Sequence, residues 1–139
     1  MASDQNARSK KLKRLVTVQR HLEKMAEGEL AATTRYRQEV ERSMETVIEA
    51  ISSMDPVHRQ FSQTYAERFG RLMVKERQLE SIQQMQETKV LRERTKADRL
   101  EDHMKEARDD EDRASADEAI YDLLEITLAA PASSKLQPS

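Results

Sequence analysis

Apolar residues return every three or four positions through most of this chain. In the first third they run Leu12, Leu15, Val18, Leu22 and Met25, then Ala32, Tyr36, Val40, Met44, Val47, Ile51 and Met54. That spacing draws one stripe down an α-helix and predicts a first helix over about residues 11–54. Gly28 is its weak point, because glycine inside a helix costs about 1 kcal/mol relative to alanine. Leu30 and the alanines beside it favour a helix that continues through. The polar stretch over residues 1–10 is expected to fray.

Asp55-Pro56 interrupts the stripe. Proline removes a helix-interior hydrogen bond and restricts the residue before it, so the first helix should stop near residue 54. Aspartate at an N-cap with proline at the first helical position is also a favourable start. The same dipeptide therefore ends one helix and begins another, with the turn at 54–56 and a second helix over about 56–128. That second helix carries a seven-residue row beginning Tyr65, Leu72, Leu79, Gln86 and Glu93, and a partner row beginning Phe69, Glu76, Gln83 and Val90. A sustained period of seven implies a left-handed supercoil. The row keeps phase through Ala107, Ala114 and Tyr121, which favours continuity over a separate helix capped by Ser115 and Glu118.

So short a connection folds two helices back on each other. Turning the chain at 54–57 sets Ile51 against Phe61, Val47 against Tyr65, Val40 against Leu72, Leu22 against Val90 and Leu12 against Leu100. Apolar meets apolar at each step. The expected fold is all-α, an elongated antiparallel two-helix coiled-coil hairpin with a longer second helix, whose end projects past the first. Residues 129–139, small, polar and proline-bearing, are expected to be disordered.

Composition supports that reading. Charged residues make up 36% of the 139 positions, with only 2 Gly and 3 Pro, so the chain is rich in helix formers and poor in material for a deep core. Cys is 0, which removes disulfides and thiolate metal sites. No stretch reaches the roughly 20 apolar residues of a membrane span, and no signal peptide is evident. A cytoplasmic protein is expected, one that reaches the cytoplasmic face of a membrane only through partners. The net charge of −2 hides an asymmetry, with a basic start around Lys10, Lys11, Lys13 and Arg14 and an acidic run over 106–118. The hairpin would lay that basic segment beside residues 98–102, so it reads as charge neutralisation and not as a nucleic-acid site.

Enzyme chemistry finds no support in the pattern. His21, His58 and His103 fall in different layers of the hairpin and cannot converge on a metal, and the carboxylates alternate with Lys and Arg as on a solvated helix face. No catalytic residue, cofactor or metal site is expected. Two apolar features stand out instead. Phe61, Tyr65, Phe69 and Leu72 follow the turn, and a two-helix seam has little room for whole aromatic rings. Ile120, Tyr121 and Leu124 lie where the second helix projects, an amphipathic pattern that docks in a partner's groove or against itself. These seven are the candidate partner-binding residues.

The turn "SMDPVH" followed by "RQFSQTYAERF", within a hairpin whose second arm is longer, resembles the FliJ/YscO family of flagellar and type III export proteins. The resemblance spans residues 12–126 as architecture, with the specific motif confined to the turn. It implies a non-enzymatic coiled-coil stalk or chaperone-escort protein that enters the export ATPase hexamer and contacts the export gate and substrate chaperones. It also implies a protein that is monomeric alone. Family gate-binding positions carry over to Phe61, Tyr65 and Leu72, while Arg68 stands where family members carry a small residue. The alternative is a coiled-coil adaptor or homodimeric scaffold with no export role.

Overall fold

The computed structural model describes residues 2–135, with side chains described over residues 7–130. Three helices follow in order: α1 (Ala2–Ser52), α2 (Pro56–Gln60) and α3 (Ser62–Lys135). The fold is an all-α helical hairpin in which α1 and α3 pack against each other. By its contacts the chain divides into two units, residues 19–95 and residues up to 18 with residues from 96 onward.

The turn forms as Asp55-Pro56 requires. Asp55 is extended (φ −66°, ψ 130°) and its Oδ1 accepts the Val57 N–H at 3.0 Å, capping α2 with Pro56 in its first turn. The second helix does not then run unbroken. At Phe61 the backbone moves to φ −106°, ψ 12°, a sparsely used region, so α2 ends at Gln60 and α3 begins at Ser62. Phe61 N–H donates to the His58 carbonyl at 3.2 Å, and the Phe61 carbonyl accepts from Tyr65 N–H at 2.9 Å. One residue thus closes the short helix and opens the long one.

In the unit of residues 19–95, the inward positions on α1 are Gln19, Glu23, Ala26, Leu30, Thr33 and Arg37, then Val40, Met44 and Val47. Steps of three and four continue through polar and apolar residues alike. On α3 both rows hold as expected: Tyr65, Leu72, Leu79, Gln86 and Glu93 face inward, and so do Phe69, Glu76, Gln83 and Val90. Within this unit the expected α1 stripe is correct only from Val40 to Val47. Leu22, Met25, Ala32 and Tyr36 lie on an exposed face, so the expected pairing of Leu22 with Val90 fails: Val90 is buried and Leu22 is not. The physical reason is that α1 carries two stripes of the same period, and the one interrupted by charge is the seam. The cross-helix contacts start at the expected register, with Lys75 over Tyr36 at 4.8 Å and Gln19 on the Glu93 carbonyl at 3.1 Å, and extend further along α3, with Glu29 reaching Lys89 at 3.4 Å. The extra turn of α2 and the break at Phe61 lengthen the connection.

In the other unit, Leu12 and Val16 of α1 face inward, as do Ala97, Leu100, Met104, Ala107, Glu111 and Ala114 of α3, while Leu15 and Val18 are exposed. Ser9 N–H donates to Glu111 Oε1 at 3.2 Å. Buried Ala97 and Ala107 leave a thin seam with no large side chain fully enclosed among the described residues. The ends differ from expectation. α1 starts at Ala2, because the segment holds helix formers and neither Gly nor Pro, and α3 continues past residue 128 to Lys135. The remainder of the expected disordered tail, residues 136–139, lies outside the described residues. α3 also passes through Ser115 and Glu118 without a break.

Gly28 lies within continuous α1, and a Cβ there would meet nothing within 4 Å. Gly28→Ala should therefore stabilise the hairpin by about 0.4–1 kcal/mol through lost unfolded-state entropy and gained propensity. Thermal melting followed by circular dichroism reads it as a higher midpoint.

Candidate functional site

Three surfaces and two ionic layers carry the chemistry of the molecule. The ionic layers occupy the seam of the 19–95 unit. Glu23 is buried and accepts from Arg20 Nη1 at 2.8 Å and from Arg94 Nε at 3.1 Å, while Arg94 Nη2 also donates to Glu27 at 3.2 Å. Further toward the turn, Arg37 donates to Glu76 Oε1 and to Gln83 Oε1, the latter at 3.1 Å. Glu76 Oε2 and Gln86 Oε1 are buried without a hydrogen-bond partner. Sliding α3 by one heptad would part Glu23 from Arg94 and Arg37 from Glu76, so these layers resist register slip more than they add stability.

The hydrogen bond from Arg20, followed by that from Arg94, holds the Glu23 carboxyl below the usual glutamate range. Arg94 and Arg37 are pushed further up by the hydrogen bonds they donate to Glu23 and Glu76 respectively. Because the folded Glu23 binds its proton more weakly than the unfolded one, its contribution is present above the ordinary glutamate value. It is lost as pH falls through the lowered value. Acid melting curves should accordingly drop more steeply for the wild type than for Glu23→Gln once pH goes below about 4.3. Parallel curves would remove Glu23 from the acid response.

The first surface is the turn. Phe61 is 48% exposed, whereas Tyr65, Phe69 and Leu72 are half-buried on the seam rows of α3. The Phe61 and Tyr65 rings lie 6.4 Å apart, tilted by 53°, and Tyr65 Oη is 3.1 Å from His58 Nδ1. Phe61 and Tyr65 are thus brought together, and of the four residues only Phe61 is exposed, at about half. Tyr65 is held from below by His58.

The second surface was not legible as a site in the apolar pattern. Glu29 on α1 meets Lys89 on α3 at 3.4 Å, and Lys75 lies 4.8 Å over the Tyr36 ring. These contacts place one flank of each helix on the same side. Residues one or two turns away on that side include Leu22 and Met25 of α1 with Ile82 and Met85 of α3, all exposed, Met85 at 71%. Lys89 and Arg92 border a shallow depression there with Ile82 and Met85. The opposite flank holds Arg20, Glu27, Glu80 and Arg94 and is ionic. The signal was present as the second three-four stripe of α1, Leu22, Met25, Glu29, Ala32 and Tyr36.

The third surface is the end of α3, in the other unit. Every described residue over 115–130 is exposed, including Ile120, Leu124 and Tyr121, the last at 68%. Of the histidines, His21 is exposed, His58 is engaged with Tyr65, and His103 sits 3.7 Å from Glu106. Among the described residues no group of three or more His, Cys, Asp or Glu is placed to hold a metal ion, and no helix is long and apolar enough to cross a membrane. Lys10, Lys11, Lys13 and Arg14 are exposed.

No protein-family model matches the chain, and neither does any curated protein or solved structure.

Proposed function

We propose that this chain is a non-enzymatic, protein-docking hairpin of a flagellar or type III export apparatus, a stalk or chaperone escort that contacts the export ATPase and the export gate. The observation that carries the reading is the turn. Asp55 and Pro56 reverse the chain, and Phe61 stands out of the helical backbone beside them with its ring half in water. An exposed aromatic at a rigid turn is a favourable anchor for a protein partner. The motif "RQFSQTYAERF" at this place, and its resemblance to export proteins, direct the choice of partner. Polar seam layers suit a hairpin that keeps its register while its outer faces meet different proteins. Work in the cytoplasm, without a cofactor and without nucleic acid, belongs to the same reading.

Calorimetry of the purified chain with the export ATPase and with the cytoplasmic part of the export gate from the same cell tests it. Saturable binding to either supports the role. Absence of binding to both leaves the adaptor reading, which the uncovered apolar surfaces of α1 and α3 favour on their own account.

A further inference from the structure

An exposed helix without tertiary contacts is marginal in water, because packing supplies most helical stability in proteins. The end of α3 is such a helix, and its exposed residues include Ile120, Leu124 and Leu128 at i, i+4 and i+8. It is also acidic: Asp117, Glu118, Asp122 and Glu125 lie within it, and no Lys or Arg occurs over residues 114–130. Its apolar row has the spacing that a helix needs to lie in a groove.

The apolar flank of the 19–95 unit has the opposite sign. Leu22, Met25, Ile82 and Met85 supply uncovered apolar area, with Lys89 and Arg92 bordering Ile82 and Met85 and Lys75 over the Tyr36 ring. Lys89 is held by Glu29 in a pair that is half-exposed at both ends, so exchanging that partner for another carboxylate costs little. Flank against flank would set cations together, and arm against arm would set carboxylates together. Arm on flank is the pairing that opposes charges, and like-charge juxtaposition excludes the other two more strongly than contact area can favour them.

We propose that this flank receives the acidic arm, residues 117–130, of a second copy of the chain. The inference goes beyond the export role and concerns the chain without partners, where it replaces the monomer that the family resemblance implies. Self-association would cover both apolar surfaces until a partner displaces it.

Light scattering on the full chain across rising concentration tests the proposal, with two variants. One breaks the arm (Ile120→Asp with Leu124→Asp). The other reverses the flank (Lys89→Glu with Arg92→Glu). All four side chains are exposed, so both variants should keep the wild-type circular dichroism. The wild type is expected to show the mass of two or more copies, falling toward one as salt is raised. Each variant alone should be monomeric. A mixture of the two should associate again, because one retains an intact flank and the other an intact arm. A wild type that is monomeric at every concentration would overturn the proposal. So would an assembly that survives flank reversal, or a mixture that stays monomeric.

Discussion

Val47→Asp is expected to destabilise the hairpin by about 3 kcal/mol, while Ile48→Asp beside it changes stability by about 0.5 kcal/mol or less. The two positions are adjacent, β-branched and equally apolar, yet Val47 is 4% exposed and Ile48 is 48% exposed. Val47 shares the α1 seam with Val40, one heptad earlier, and faces the half-buried α3 rows. A carboxylate there has no cation among the seam residues near it and must either be desolvated or spread the helices. Ile48 lies off the seam, where a carboxylate stays in water. Urea titration followed by circular dichroism measures both. Equal losses at 47 and 48 would mean that the seam lies elsewhere on α1.

The second large effect concerns binding. Phe61→Ala should weaken attachment to the export-gate partner roughly 30-fold, the loss that follows from about 2 kcal/mol for an interface anchor. The change should leave the fold in place, since Phe61 caps two helices through backbone hydrogen bonds that alanine retains. Tyr65→Ala is less clean, because Tyr65 is half-buried and carries the hydrogen bond with His58. Tyr65→Phe removes only that bond and should leave the partner affinity within about 3-fold, a change worth less than 1 kcal/mol. Calorimetry with the gate protein separates the outcomes. Unchanged affinity for Phe61→Ala would move the docking site to the apolar flank or the arm.

The legibility of this fold in its sequence was uneven, for a physical reason. The α3 rows through Tyr65 and Phe69 are legible because they recur at strict sevens, through Glu76, Gln83, Gln86 and Glu93, whether or not each position is apolar. On α1 the apolar residues alone lead off the seam onto exposed positions at Leu15, Val18, Leu22 and Met25. Glu23 and Arg37 look like surface residues until Arg94 and Glu76 are placed across from them, and hydropathy carries no information about a partner on another helix. Asp55-Pro56 announced the turn and the cap, since both effects are local to two residues. The break at Phe61 was not announced, because nothing in "HRQFSQ" disfavours helix. Of the candidate binding residues, Ile120, Tyr121 and Leu124 lie exposed, and the aromatic cluster divides into exposed Phe61 and half-buried Tyr65, Phe69 and Leu72.

The proposed role in protein export is tested most directly by removing the hairpin from the cell that makes it. The measurement is the amount of flagellar or other type III substrate released into the medium by a strain lacking the gene, compared with the same strain carrying it on a plasmid. The account predicts that release falls at least ten-fold in the deletion, returns with the wild-type chain, and does not return fully with Phe61→Ala. Release that is unchanged in the deletion would contradict it.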